Sequence, residues 1–298
     1  MHRPVPLIVA LTIGLSAPTE AAFETLGRAG RASAMGDAFV VHASDPSALW
    51  YNTAGLALVG NRQILVDYAR LFPELDAGPN INLWTVSYAQ QLAGGWLGAG
   101  FAGLEADFYT ENGFALGYSR SSGDRLSLGL GLRFLRWSAD GYQAPDGGPS
   151  DPDRSGNGLG VDVGARVVLL KRQDSTVVLG FSGRDLNEPD VSEGGGTGIP
   201  RRLAIGLGYE DPLYALEADL EFLDGDRRVR VGGEYKLGGD YDLRLRAGAS
   251  GIAGEGTAGE VDGGFGLKFG KAVINYAYRY TAQIDAGGNQ WLSLGYSF

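Results

Sequence analysis

Gln290-Trp291-Leu292-Ser293-Leu294-Gly295-Tyr296-Ser297-Phe298 alternates strictly between large and small residues from Leu292 onward. Successive side chains of a β-strand point to opposite faces. Leu292, Leu294, Tyr296 and Phe298 therefore share one face, and Ser293, Gly295 and Ser297 share the other. An apolar outside over a small, polar inside suits a strand whose outer face meets lipid. The same segment would also serve as the last strand of a soluble sandwich, so the rest of the chain must decide.

The alternation recurs upstream. Leu126, Leu128, Leu130, Leu132 and Phe134 oppose Ser127, Gly129, Gly131 and Arg133. Val229, Val231 and Tyr235 oppose Arg228, Arg230, Glu234 and Lys236, while Leu243 and Leu245 oppose Arg244 and Arg246. Strands are expected at residues 62–69, 82–91, 96–104, 112–120, 125–137, 158–170 and 176–184. Seven more are expected at 201–209, 214–222, 228–237, 241–249, 260–269, 272–280 and 290–298. About fourteen strands is an even number, as single-chain outer-membrane barrels have. Connection lengths sort by parity. The two longest gaps, 138–157 and 185–200, are odd-numbered, whereas 93–95, 121–124, 171–174 and 238–240 are even-numbered and tight. Long loops at one end and short turns at the other are a barrel habit; a sandwich has no reason to sort them. The expected fold is all-β, a transmembrane antiparallel β-barrel over residues 61–298, with both termini in the periplasm. A charge facing lipid at the midplane costs about 2–4 kcal/mol, so the charged faces must turn inward.

Composition narrows the function. The chain has no cysteine, which removes disulfides, thiolate catalysis and thiolate metal sites. A net charge of −10 argues against a nucleic-acid partner. Arg3, the apolar run 7–15 and the small residues around Thr19-Glu20-Ala21 read as a signal peptide over residues 1–21. No later run approaches the roughly 20 apolar residues of a spanning helix. His2 and His42 are the only histidines, and no catalytic constellation forms around His42, so no enzyme is expected. Asp146, Asp151, Asp153 and Asn157 fail the spacing of a calcium loop, and the glycine-rich 194–198 lacks a P-loop lysine. No cofactor or metal is expected.

With the apolar faces outward, Glu217, Asp219 and Glu221 line the lumen beside Arg228, Arg230, Lys236, Arg244 and Arg246, with Asp262, Lys268 and Arg279 further round. Such charges can form cross-strand pairs that fill and neutralise a wet interior. They can also line a path that orients a dipolar solute, but small barrels often use such networks as structural plugs, and filling is the favoured reading.

Ahead of the first strand, residues 22–60 are too rich in glycine and alanine for a lipid-facing strand. Asp45-Pro46 favours a helix start, with Ser44 or Asp45 as N-cap and Gly55 as the stop. A compact, partly helical element small enough for the barrel mouth is expected. Gly30-x-Ala-x-x-Met35-Gly36-x-Ala-Phe39, followed by Asp45-Pro46-Ser-Ala-Leu-Trp-Tyr-Asn52-x-Ala-Gly55-Leu56, resembles the N-terminal hatch of the FadL superfamily. In wording it is closest to the PorV/PorQ branch. The resemblance implies a fourteen-stranded barrel with a hatch inside the lumen, in the outer membrane of a Gram-negative-type bacterium. It also implies surrounding lipid and lipopolysaccharide, and a hydrophobic small molecule or a secreted protein as partner. Terminal Phe298 resembles the signal read by the barrel-assembly machinery. Two departures stand out. The family's Asn-Pro-Ala motif falls on Asn52-Thr53-Ala54, and the loop 138–157 is polar and turn-rich where fatty-acid channels carry apolar loops. A role in outer-membrane transport or secretion is expected, with uptake of hydrophobic molecules such as long-chain fatty acids as the alternative.

Overall fold

A computed structural model describes residues 23–60, 62–73, 80–141, 153–192, 198–238, 242–252, 259–281 and 288–298. The expected signal peptide, Asp146, Asp151 and residues 194–197 of the glycine-rich stretch lie outside them. Seven strands come first: β1 Arg62–Leu71, β2 Ile81–Leu92, β3 Gly95–Ala106, β4 Tyr109–Ser122, β5 Leu126–Ala139, β6 Arg154–Lys171 and β7 Thr176–Arg184. The second seven are β8 Arg202–Glu210, β9 Tyr214–Leu223, β10 Asp226–Gly238, β11 Leu243–Ile252, β12 Glu260–Phe269, β13 Ala272–Thr281 and β14 Asn289–Ser297. Each pairs antiparallel with its sequence neighbour, and β14 returns to β1 to close the barrel. The closing register runs from Ile64 opposite Tyr296 to Tyr68 opposite Leu292.

All fourteen expected segments are strands, several of them longer than the alternation indicates. The β5–β6 hairpin pairs as far as Ala139 opposite Arg154. Lipid enforces alternation only across its own thickness, and beyond it polar residues such as Ser138, Ser155 and Asn157 continue the ladder unmarked by pattern.

The long connections 140–153 and 185–201 emerge at one end. The opposite end carries tight turns, including Ala93-Gly94, where both residues take positive φ (55° and 74°) as a two-residue hairpin turn requires. Leu128, Leu130, Leu132 and Phe134 are exposed on the outer surface while Ser127 and Arg133 face in, buried. Arg62, Arg120 and Arg136 face out only near strand ends. Aromatic residues gather at both rims: Tyr118, Tyr209, Tyr235, Phe269 and Tyr296 by the short turns, Tyr68, Phe108, Phe222, Tyr278 and Tyr280 by the long connections. An apolar band between aromatic girdles is the surface a bilayer solvates.

The core lies inside the barrel. Residues 23–60 form an inner segment of short pieces: helix α1 (Gly30–Ser33), helix α2 (Ala48–Tyr51) and a 3₁₀ helix (Thr53–Leu58). Leu26, Met35, Phe39, Trp50 and Leu56 are buried against wall residues that include Leu83, Leu135 and Trp291. The expected single helix ending at Gly55 is broken earlier. Asn52, with φ −151° and ψ 104°, stops α2, and its side chain accepts the N–H of Ala54 to start the 3₁₀ turn. Gly55 lies within that turn, where a Cβ would sit 2.0 Å from the Ala43 carbonyl oxygen, so the close approach requires glycine. Asp45 accepts the Ser47 N–H (3.0 Å), so it organises the turn ahead of α2 without capping the helix itself. Wall glycines mark the segment's track. A Cβ on Gly232 would lie 2.2 Å from Met35 O, and one on Gly248 would lie 2.2 Å from Gly36 N.

Candidate functional site

The surface between the inner segment and the barrel wall is the candidate site, and its chemistry starts with the segment's own backbone. Residues 39–42 run through the lumen without helix or sheet partners, so their N–H groups need acceptors. The wall supplies them. On β9, Asp219 accepts the N–H groups of Phe39 (2.9 Å) and Val40 (3.2 Å), and Glu217 accepts those of Val41 (2.5 Å) and His42 (2.9 Å). Across the barrel, Asp67 of β1 and Ser293 of β14 both receive the Gly30 N–H, at 3.0 and 3.1 Å. Glu111 of β4 takes the N–H of Phe23 (3.0 Å).

The segment's carbonyls meet donors in the same way. Arg184 and Ser182 of β7 bond Trp50 O and Tyr51 O, each at 2.6 Å. Ser119 bonds Ala54 O (3.1 Å) and the Trp96 indole bonds Val59 O (2.9 Å). The Arg184 bond, like those the carboxylates accept, is charge-assisted and contributes about 1.5–3 kcal/mol, whereas the serine and indole bonds are neutral and contribute about 0.5–1.5 kcal/mol each.

Ion pairs complete the seating. Arg279 of β13, fully buried, reaches Asp262 (2.6 Å), Asp37 of the segment (2.9 Å) and Glu260 (3.2 Å). Burial acts to raise the Asp37 carboxyl, but Arg279 and Arg28 outweigh it and hold the group well below the usual carboxylate range. Glu24 pairs with Arg228, while Glu221 pairs with Arg230 (2.9 Å). At the short-turn end Arg31 lies 3.3 Å from Asp45 and 3.5 Å from Glu234, which also binds Arg246 (2.7 Å) and Arg244 (3.1 Å).

Two cavities flank this packed layer. Toward the long connections a space of about 40 Å³ lies between Trp50, Tyr51, Glu24, Arg184, Arg202 and Glu221, room for a few waters. Toward the short turns a space of about 210 Å³ opens between Pro46 of the segment and β11, β12, β13, β14 and β1. The layer held by Asp67, Ser293 and Asp219 separates them.

The structure turns Glu217, Asp219, Glu221, Arg228, Arg230, Arg244, Arg246 and Arg279 toward the inside of the barrel: Glu217 and Asp219 hold backbone of the inner segment, and the others fall into three separate ion-pair groups, Glu221 with Arg228 and Arg230, Arg244 with Arg246, and Arg279 with its acids. Gly30, Met35 and Gly36 lie against β10–β14 and β1, and Asn52 and Gly55 lie toward β5 and β6. Asn52 donates to Val40 O (2.7 Å) and Ala165 O (3.3 Å). His42 is buried, its Nε2 3.1 Å from Leu216 O. Phe298 stacks under the Arg62 guanidinium (4.3 Å) and donates its N–H to Arg62 O (2.9 Å). Asp153 accepts the Gly141 N–H (2.8 Å). Several wall residues escaped the sequence reading of the site, among them Asp67, Glu111, the carbonyl donors Ser119, Ser182 and Arg184, and Arg133, which bridges Asp162 (2.6 Å) and Asp185 (2.7 Å). Asp67 left a signal, being the lone acid, at an inward position, in Ile64-Leu65-Val66-Asp67-Tyr68.

No family model and no curated protein match this sequence. Solved structures do match its shape. The toluene transporter TbuX of Ralstonia pickettii superposes with a TM-score of 0.65 at 13% identity, over 93% of this chain and 100% of its own. The toluene transporter TodX of P. putida gives 0.66 at 14%, over 91% and 99%. A FadL homologue of Pseudomonas aeruginosa gives 0.59 at 14%, over 90% and 97%. At such identities the likeness concerns the fold: a fourteen-stranded closed barrel of the FadL architecture.

Proposed function

We propose that this chain is an outer-membrane transport barrel, with residues 22–60 as a hatch and a hydrophobic or amphipathic small molecule as cargo. One observation carries the reading. The lumen is occluded by a segment of the chain itself, held by non-covalent polar contacts and ion pairs to the wall, with a cavity on either side. An occlusion built this way can shift and reform, as a gate must. The toluene transporters that share the fold support a hydrophobic cargo. This reading puts both termini in the periplasm, because long connections belong outside the cell. Phe298, seated on Arg62, would be read by the barrel-assembly machinery, with lipid and lipopolysaccharide against the outer belt.

A second reading has its own support. The cavity near the long connections is lined by Glu24, Arg184, Arg202 and Glu221, a poor bed for an acyl chain. That favours a PorV/PorQ-like role, in which the plugged barrel docks a secreted protein and carries no solute.

A reversible lock separates the two. A Cβ on Gly30 would lie 3.8 Å from the Ser293 Cβ, the separation of a disulfide, and the parent has no cysteine to interfere. In Gly30→Cys/Ser293→Cys proteoliposomes, single-channel current and uptake of labelled toluene and oleate should be absent when oxidised and return with dithiothreitol. Equal uptake in both states refutes passage behind a moving hatch. No uptake by the parent, together with a protein partner crosslinked from connection 140–153, establishes the docking role instead.

A further inference from the structure

We propose that the vestibule at the short-turn end binds a small organic monoanion, a carboxylate carried on a body about the size of one ring. The inference deepens the transport reading and rests on it for its purpose, since it names the class of cargo met beside the hatch.

Charge is the first argument. Five cations line this cavity: Arg31, Arg244, Arg246, Lys268 and Lys271. The three arginines are matched by three acids, Arg31 with Asp45 (3.3 Å), Arg244 with Asp242 (2.7 Å) and Arg246 with Glu234 (2.7 Å). Lys268 from β12 and Lys271 from the following turn remain, and neither forms an ion pair among the described residues. Among the described residues, two positive charges without a salt-bridge partner thus share one pocket of a chain whose net charge is −10, with Asp242, already bound to Arg244, the acid nearest in effect to Lys268. Lysines left over from a balanced network are free to take an anion as point charges.

Size and lining supply the second. A dry cavity of about 150 Å³ accepts benzene, so about 210 Å³ admits a ring with a carboxylate attached. Leu65, Val273 and Pro46 give the pocket an apolar side that reaches Lys268, the ladder partner of Val273. Inorganic phosphate would satisfy the lysines and leave that side unused, and a neutral hydrocarbon would do the reverse. A ligand with both parts fits both.

The full-length protein in detergent micelles provides the test, by calorimetric titration with benzoate, benzyl alcohol and inorganic phosphate. Benzoate should bind saturably, one per chain, and more weakly as salt rises. Lys268→Gln/Lys271→Gln should weaken it at least tenfold, while heat-modifiability on gels shows that the barrel remains folded. Benzyl alcohol should bind at least tenfold more weakly than benzoate, and phosphate should not displace benzoate. Absence of benzoate binding, equal binding in the double variant, or displacement by phosphate at equal concentration overturns the assignment. Benzoate binding with unchanged uptake in the oxidised Gly30→Cys/Ser293→Cys protein would leave the site standing and remove the gate. Locked uptake without benzoate binding would do the opposite.

Discussion

Replacing Asp219 with alanine tests whether the wall carboxylates hold the inner segment in place. The Asp219 Oδ2 atom alone receives the N–H groups of Phe39 and Val40, and both residues are buried. Without the carboxylate, two donors lose their acceptor away from water, at about 1–3 kcal/mol each, or about 2–6 kcal/mol in all. Since about 1.4 kcal/mol is a tenfold change, transient opening of the segment should become roughly 30 to 10⁴ times more frequent. A single cysteine at position 35 reports it, because the Met35 side chain is fully buried and a thiol there reacts only when the segment opens. Thiol labelling of Met35→Cys protein in micelles at neutral pH should accelerate by that factor in Asp219→Ala. Asp219→Asn keeps an oxygen at the same place and should accelerate labelling far less. If the alanine variant labels no faster than its parent, or the asparagine variant labels as fast as alanine, the carboxylate is not what seats the segment.

Three further outcomes follow from the same geometry. Asp37 has a folded-state pKa below its unfolded value of about 3.9, so its contribution is fully present above that pH and disappears as pH falls through the folded value. The ratio of labelling rates between Asp37→Asn and parent, read with dithiodipyridine, should stay constant from about pH 8 to 5 and close only below about pH 4; closure between about 7 and 5 contradicts the assignment. Gly248→Ala should destabilise the folded barrel by about 1–3 kcal/mol in urea titrations, because its Cβ enters the inner segment. Gly263→Ala should be neutral, since only Arg246 O lies near its Cβ, at 4.0 Å. Deleting Phe298 should lower the heat-modifiable, folded fraction recovered from membranes and leave benzoate affinity of the folded remainder unchanged; normal folding yields would remove the assembly role.

The legible and illegible parts of this chain divide along a physical line. Lipid imposes a period of two and penalises each misplaced charge, so fourteen strands and their faces could be read from alternation such as that of Leu126 to Phe134. The lumen obeys no such rule. Glu217 and Asp219 could be placed inside by parity, but their partners are peptide N–H groups of residues 39–42, and a peptide group has no sequence signature. Cross-strand pairing, expected from the charges alone, does occur between Glu234 and Arg246 and between Asp262 and Arg279, which sit directly opposite in the ladder. Asp67 and Glu111 instead serve the segment's backbone, a role that only the folded path of residues 23–60 reveals.

That division bears on what the interior charges are for. A wet, unplugged lumen would leave paired charges facing water and would place no premium on matching carboxylates to N–H groups or arginines and serines to carbonyls. Here the match runs from Glu111 at Phe23 to Trp96 at Val59, along nearly the whole inner segment. The wall is therefore a socket shaped to one backbone, and the wall glycines are its floor. Charges used in a socket are not available to a passing solute while the segment is seated. The exceptions become the informative residues. Lys268 and Lys271 sit in the larger cavity and answer no part of the inner segment among the described contacts, which is why a solute, if one is handled here, should be sought beside them.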